Sequence, residues 1–419
     1  MTGLRREHAL GGRDGVERWL LLAALAFGCR EGSGASASAT AALPSGATAS
    51  PAASVAVPLA APPSGAGAEV SLELIDDFNP PRPSSTGAGA DGAPAAAWDA
   101  ALGGLSGLFY SAPDNLLYAI SDDRGRFPAP RLYSFGLELG EHLLRLAPRS
   151  VVLLHEPEPT GSLTALDGEG LAGDGRALFL SVEGNEEPPS QRESRVLQLD
   201  RDGLVRGSVL VPPAFRPAGG DQPPRGTRAN LGFEGLSVSP SGRWLFAMAE
   251  AALYQDGPVA SFDQGTRVRL ARWDLERPGE PLELGYRTDP VEPRLEAPSV
   301  AHNGVSELVA LDDERLLVLE RAYVEAGERR VNTVRIFQVD LAQAAAEGGS
   351  PPLLAKRLVL DLNDVVARFD EGQRELDNFE GMTLGPRLAS GNPSLLLVSD
   401  DNFSARQRTV FVAFELRTR

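Results

Sequence analysis

The stretch Asn230-Leu-Gly-Phe-Glu-Gly-Leu-Ser-Val-Ser-Pro-Ser-Gly-Arg-Trp-Leu-Phe-Ala-Met-Ala-Glu250 decides the fold. Gly235 to Ser239 and Trp244 to Ala249 read as two short strands, and Pro240-Ser-Gly242 between them supplies residues that tolerate a tight turn. In an antiparallel hairpin the start of the first strand lies beside the end of the second. Glu234 and Glu250 should therefore fall at the same end. The unit recurs in diverged form: Asp167-Gly-Glu169-Gly-Leu171 leads to Val182-Glu183, Ser306-Glu307-Leu308 to Leu319-Glu320, and Phe379-Glu380-Gly-Met382 to Ser399-Asp400-Asp401. A fifth copy, Leu105-Ser-Gly-Leu108 leading to Ser121-Asp122-Asp123, lacks the first acid. Repetition of such hairpins predicts that their acids gather into one ring.

The repeat acids at 169, 234, 307 and 380 stand 65, 73 and 73 residues apart. Each interval holds four short alternating or β-branched runs, whereas the last module has only three: Gly381 to Leu384, Leu395 to Val398 and Thr409 to Phe414. Val70-Ser-Leu-Glu-Leu74 is the donor for the missing strand. Four-stranded units repeated radially make a β-propeller, and a strand from one terminus completing the blade of the other would close it. The expectation is an all-β chain with five blades as the literal count and six as the alternative. Helical periodicity is confined to a brief run from Leu341 to Ala346.

A formal charge of -17 argues against binding nucleic acid or adhering electrostatically to anionic membranes, and favours cations as partners. Lys356 is the sole lysine, so arginine carries the remaining basic charge. Residues 1–28 read as an export signal, with Arg5, Arg6, Arg13 and Arg18 ahead of an apolar stretch from Trp19 to Phe27 too short to span a bilayer. Leu25-Ala-Phe-Gly28-Cys29 resembles the lipobox of bacterial lipoproteins, although Ala26 stands where leucine is usual. Cys29 is thus the candidate lipidation site, and membrane contact is expected only through that anchor. Incidental cysteine in an ordinary secretory signal is the alternative. As the only cysteine, Cys29 leaves no internal disulfide, cysteine metal site or catalytic thiol. Residues 29–67, nearly uncharged and rich in alanine, serine, glycine and proline, read as a flexible linker to a domain spanning 68–419, expected to be a monomer.

So many carboxylates at one channel mouth repel one another and call for cations, arginine partners, protonation or distance. Oxygen ligands without histidine or cysteine favour calcium over zinc or copper. The competing structural role is blade packing, with each carboxylate accepting backbone N–H groups and the adjacent glycine allowing close approach. Arg124, Arg126, Arg131, Arg228, Arg321 and Arg406 lie near repeat acids, either to neutralise them or to hold a substrate anion. His142, His155 and His302 lack metal-ligand spacing, and a surface-loop position is expected for His302 despite its nearness to a repeat acid. The folded region contains no Gly-x-Ser-x-Gly elbow and no phosphate-cradling glycine loop.

Leu105-Ser-Gly-Leu108, Ala119-Ile-Ser-Asp-Asp-Arg124, Asn230 to Leu236, Leu319-Glu-Arg321, Asp377-Asn-Phe-Glu-Gly381 and Leu397-Val-Ser-Asp-Asp-Asn-Phe403 together resemble the phytase-like domain labelled "esterase-like activity of phytase". The resemblance runs in order from about Val70 to Leu416. It implies an exported propeller and hydrolysis of phosphate or other esters. True β-propeller phytases hold several calcium ions with channel-mouth acids, but in six blades; five modules depart from that pattern. The resulting expectation is a calcium-dependent hydrolase of a small phosphoester or carboxylic ester. Asp122, Asp123, Glu234, Glu380, Asp400 and Asp401 are its candidate ligands, and Arg124 and Arg321 its anion contacts. The paired acids of the first and last modules, neighbours once the ring closes, mark the expected metal site. The alternative is a non-catalytic propeller binding a ligand or partner protein at the cell envelope. A secreted rather than lipid-anchored form is the alternative for location.

Overall fold

Short alternating runs separated by Gly, Asp and Asn turns pair locally, because each two-faced strand must bury its apolar side against a neighbour. A computed structural model describes the protein over residues 68–80, 102–122, 130–157, 163, 166–184, 193–218, 223–345, 350–369 and 374–418. Among these residues the first strand is β1 (Val70–Phe78). Blade 1 runs from the axis outward through β2 (Leu105–Ser111), β3 (Leu116–Ser121), β4 (Arg131–Gly140) and β5 (Leu143–Leu153). Blade 2 follows with β6 (Gly168–Gly173), β7 (Leu178–Val182), β8 (Arg195–Leu199) and β9 (Val205–Ser208). Blade 3 comprises β10 (Phe233–Val238), β11 (Trp244–Ala249), β12 (Arg267–Asp274) and β13 (Leu282–Arg287). Blade 4 is β14 (Val300–Ala310), β15 (Arg315–Ala326), β16 (Arg329–Asp340) and β17 (Lys356–Asp361). Blade 5 takes β18 (Asn378–Arg387), β19 (Pro393–Asp400) and β20 (Phe411–Thr418), with β1 as its outer strand.

The innermost strands touch in a closed circuit, β2 to β6, β6 to β10, β10 to β14, β14 to β18 and β18 back to β2. The architecture is a five-bladed β-propeller, so neither the six-blade alternative nor the six blades implied by the resemblance holds. The predicted closure is present. Strand β1 pairs antiparallel with β20 from Val70 opposite Thr418 to Phe78 opposite Phe411, bulging near Leu74. Gln338 of blade 4 accepts from Val70 N at 3.1 Å, and Asp76 accepts from Leu144 N of blade 1 at 2.8 Å, so the strand is tied to both neighbours.

The core lies between blades rather than within one. Phe215 stacks on Phe233 at 4.7 Å between blades 2 and 3, and Phe135 meets Phe411 edge-on at 5.8 Å across the blade 1–blade 5 seam. All four rings are fully buried or nearly so. Strand β5 runs unbroken from Leu143 to Leu153, because the edge position tolerates Pro148 and lets Leu144 and Leu146 bury. The predicted helix is a single 3₁₀ turn, Leu341–Gln343, started by the Asp340 side chain accepting from Ala342 N. Ala346 lies outside the described residues, as do the signal segment, Cys29 and the linker through residue 67.

Candidate metal centre at the channel mouth

Each inner hairpin breaks register at the same place. The breaks fall between Leu105 and Leu108, Gly168 and Leu171, Phe233 and Leu236, Val305 and Glu307, and Phe379 and Gly381. Such bulges re-aim a side chain at the expense of one ladder pair. The residue after the first member of each break is Ser106, Glu169, Glu234, Ser306 or Glu380. In blades 1, 2, 3 and 5 the glycine that follows lets adjacent bulges interlock: a Cβ on Gly170 would collide with Glu234 O, and one on Gly381 with Ser106 O. Ser181 secures one such seam, donating to Glu234 O and accepting from Gly170 N, each at 2.7 Å.

The rungs at the breaks pair Leu105 with Ser121, Gly168 with Val182, Phe233 with Ala249, Val305 with Glu320 and Phe379 with Ser399. One residue further along the second strands stand Asp122, Glu183, Glu250, Arg321 and Asp400. Two expected ring acids are therefore displaced. In blade 4, Ser306 takes the slot of the first acid and Glu307 takes the place of glycine. Glu307 is buried, and its Oε1 accepts from Leu236 N at 2.7 Å and Leu308 N at 2.9 Å. Burial pushes its carboxyl well above the usual range despite these two bonds. On the second strand Arg321 occupies the ring position, and Glu320 faces away. Glu320 accepts from Tyr286 Oη at 2.5 Å and Asp289 N at 2.8 Å, and pairs with Lys356.

The remaining acids do converge. Ser106 Oγ donates to Glu169 at 2.8 Å, joining blades 1 and 2. Ligand oxygens of Glu169, Glu183 and Glu234 lie within 4.8 Å of one another, as do those of Asp122, Asp167 and Glu169. Glu169 belongs to both groups. Burial and then the charges of Glu169, Glu183, Glu250 and Glu380 push the Glu234 carboxyl well above its ordinary range. Asp400 is raised in the same way by burial, Glu380 and Asp122. Opposite these groups, Arg321 approaches Glu380 at 3.3 Å and Glu250 at 3.9 Å. Burial opposes its charge, but Glu380, Glu250, Glu234 and Asp400 together hold its pKa above the usual value.

His302 is a strand residue at the mouth rather than the expected surface-loop histidine. Its Nδ1 lies 3.4 Å from Glu250, and burial with the Arg321 charge pushes its pKa down to about 4. With the ring neutral, that contact is not an ion pair. Ser306 Oγ, Arg321 Nε and His302 Nε2 are buried without a hydrogen-bond partner among the described residues. The mouth is thus split, with the two close carboxylate groups from blades 1 to 3, a guanidinium, imidazole and hydroxyl from blade 4, and Glu380 and Asp400 of blade 5 beside Arg321.

Of the six candidate ligands, Asp122 and Glu234 fall in the two close carboxylate groups. Glu380 and Asp400 stand on the Arg321 side, where Asn378 donates to Glu380 at 2.8 Å and Asn402 N to Asp400 at 2.7 Å. Asp401 accepts from Gly104 N and Phe403 N, both at 3.0 Å, and joins blade 5 to blade 1. Asp123, Arg124 and Arg126 lie outside the described residues. Arg131 bonds Tyr133 and Ser121, and Arg228 braces a loop through Ala252 O and Gly257 O. Sequence spacing passed over Asp167 as a ligand, although it stands two residues before a repeat acid.

At the opposite end of the inner strands is a cavity of about 410 Å³, lined largely by apolar and hydroxyl residues such as Leu171, Leu236, Met382, Ser237 and Thr383. Asp174, the one carboxylate among its described lining residues, caps its own turn by accepting from Arg176 N and Ala177 N. Carboxylate chemistry therefore belongs to the other mouth. Carboxylates alone, close and partly buried, fit a hard cation such as calcium better than zinc or copper.

Fold and mouth together define a class: a five-bladed β-propeller with an acidic, arginine-bounded channel end. The chain belongs to the phytase-like family, described as "Esterase-like activity of phytase", whose family model matches residues 100–403. A protein of Arthroderma benhamiae described as "Uncharacterized secreted protein" is 33% identical over 130 residues, which are 27% of this chain and 25% of the relative. The match thus spans about a quarter of that relative. Among solved structures, an endo-arabinase from Bacteroides thetaiotaomicron aligns at a TM-score of 0.40 and 12% identity, covering 75% of this chain and 93% of that one. A thermostable family-43 glycoside hydrolase aligns at 0.35 and 7% identity, covering 76% and 90%. Likeness this distant carries no information about substrate.

Proposed function

We propose that the protein is an exported hydrolase of phosphate or carboxylic esters, working at the acidic channel mouth with calcium as its cation. The observation that carries this reading is the sharing of Glu169 between two groups of close carboxylates, within a member of the phytase-like family. Three buried carboxylates so close cannot all remain ionised without a cation or protons. Asp122, Asp167, Glu169, Glu183 and Glu234 would hold the ion, which when bound supplies a Lewis acid for an ester oxygen and for water. Arg321, fixed by Glu380 and Glu250, faces the same space and can donate to an anionic oxygen of the substrate or of the developing transition state. Ser306 and neutral His302 add a hydroxyl and an imidazole beside it. Export is supported by the leader-like first 28 residues and by the secreted description of the Arthroderma relative, and Cys29 would carry a lipid anchor.

Thermal melting with calcium or a chelator, followed by turnover of p-nitrophenyl phosphate and p-nitrophenyl acetate, tests the proposal. Calcium at a hundred times its Kd should stabilise the fold by about 2.7 kcal/mol, and one ester should be hydrolysed. No calcium-dependent shift together with no turnover of either ester would sink it. Calcium stabilisation without turnover would favour a propeller that binds an envelope ligand or partner protein.

A further inference from the structure

Blade 4 is taller than its neighbours on the acidic side. The inner strand of blade 3 begins at its bulge rung, Phe233 opposite Ala249, whereas β14 and β15 continue pairing from Val305–Glu320 out to Val300–Glu325. Five further residues at about 3.3 Å each raise a wall about 17 Å above the ring. Side chains alternate across it. Asn303, Ala322 and Val324 are buried on one face, where Val324 packs with Ala260, Val291, Phe262 and Leu295. The other face carries His302 beside Tyr323, which form one rung, with Arg321 below and Glu325 above. Arg321 and His302 both reach ring acids, so this face looks over the mouth.

Charges on that face are matched among themselves. Tyr323 Oη donates to Glu325 at 2.7 Å, and Arg330 pairs with Glu325 at 3.2 Å. Burial and the Glu325 bond push the Tyr323 hydroxyl up to about 12, so ring and imidazole are both neutral near pH 7. What the wall offers a ligand above Arg321 is a neutral aromatic surface with a hydrogen-bonding edge.

We infer that the mouth-facing side of the β14–β15 extension, with Tyr323 as its main contact and His302 beside it, binds the flat, uncharged alcohol portion of the ester whose acidic portion sits at Arg321. The inference rests on the hydrolase reading. Aromatic pairs contribute about 0.5–1.5 kcal/mol beyond area, and their loss weakens binding by about fivefold. With calcium present, KM and kcat are measured for phenyl phosphate, methyl phosphate, phenyl acetate and methyl acetate. For the ester class that is turned over, Tyr323→Ala should raise KM for the phenyl ester about fivefold relative to the methyl ester and leave the kcat ratio unchanged. Tyr323→Phe, which keeps the ring, should stay near wild type. An unchanged phenyl-to-methyl KM ratio in Tyr323→Ala overturns the inference and leaves the hydrolase reading intact. Absence of turnover for all four esters sinks the reading, and the inference with it.

Discussion

Glu307 and its neighbour Ser306 show how much one position decides. Ser306 occupies the ring slot, while the Glu307 carboxylate turns into blade 3 and serves two backbone amides. Glu307→Ala would leave both buried N–H groups without their acceptor and should cost about 2 kcal/mol, read from urea denaturation. Glu307→Gln keeps the accepting oxygen. Because the folded-state pKa of Glu307 is raised, the native state holds that proton more tightly than the unfolded chain does. Its contribution is favourable below the ordinary carboxylate pKa of about 4.3 and is lost as pH rises through the folded value. The Gln variant should therefore gain on wild type between pH 4 and pH 8, and a constant difference would refute the burial argument. The same one-residue logic separates Glu320 from Arg321. Leu319-Glu320 reads like Ala249-Glu250 in the sequence, yet the pairing of Val305 with Glu320 sends Arg321 to the ring. Side chains alternate with a period of two, so a one-residue offset exchanges the faces.

At the scale of the element, the interlocked bulges are the joints between blades. The Cβ of Gly381→Ala would press on backbone Ser106 O, which cannot rotate away, whereas Gly175 has a φ of +84° and open space around it. Gly381→Ala should lose about 3 kcal/mol by overpacking, and Gly175→Ala about 1 kcal/mol from backbone strain alone. Equal losses in denaturant midpoint would show that the seams do not govern blade docking. The hairpins themselves were legible, since alternation and turn residues reveal strands such as Trp244–Ala249 directly. The bulge was not, because it is a property of pairing and leaves only a glycine behind. His302 was misplaced for a related reason: nothing in Ala301-His302-Asn303 announces that β14 continues five residues past the ring.

For the whole molecule, closure depends on β1. A chain beginning at residue 68 keeps every strand of the propeller, whereas one beginning at residue 80 leaves β20 as the open edge of a three-stranded blade. The first should melt cooperatively and stay monomeric. The second should aggregate or melt far lower, as measured by light scattering and calorimetry. Retention of full stability without β1 would mean that the outer strand of blade 5 is dispensable to closure.

Sequence by itself determined the repeated hairpin, the terminal strand that completes the last blade, and the chemistry of the mouth as oxygen-rich with arginine and without cysteine, while its literal count of five modules left six blades open until the sheets were seen. These follow from local pattern and composition, which are written residue by residue. Only the tertiary structure decided which residues face the channel, that Arg321, Ser306 and His302 form a non-acidic sector, and that Glu169 joins the two carboxylate groups. Those outcomes depend on inter-strand register and blade-to-blade contact, where backbone pairing between distant segments sets the direction of every side chain.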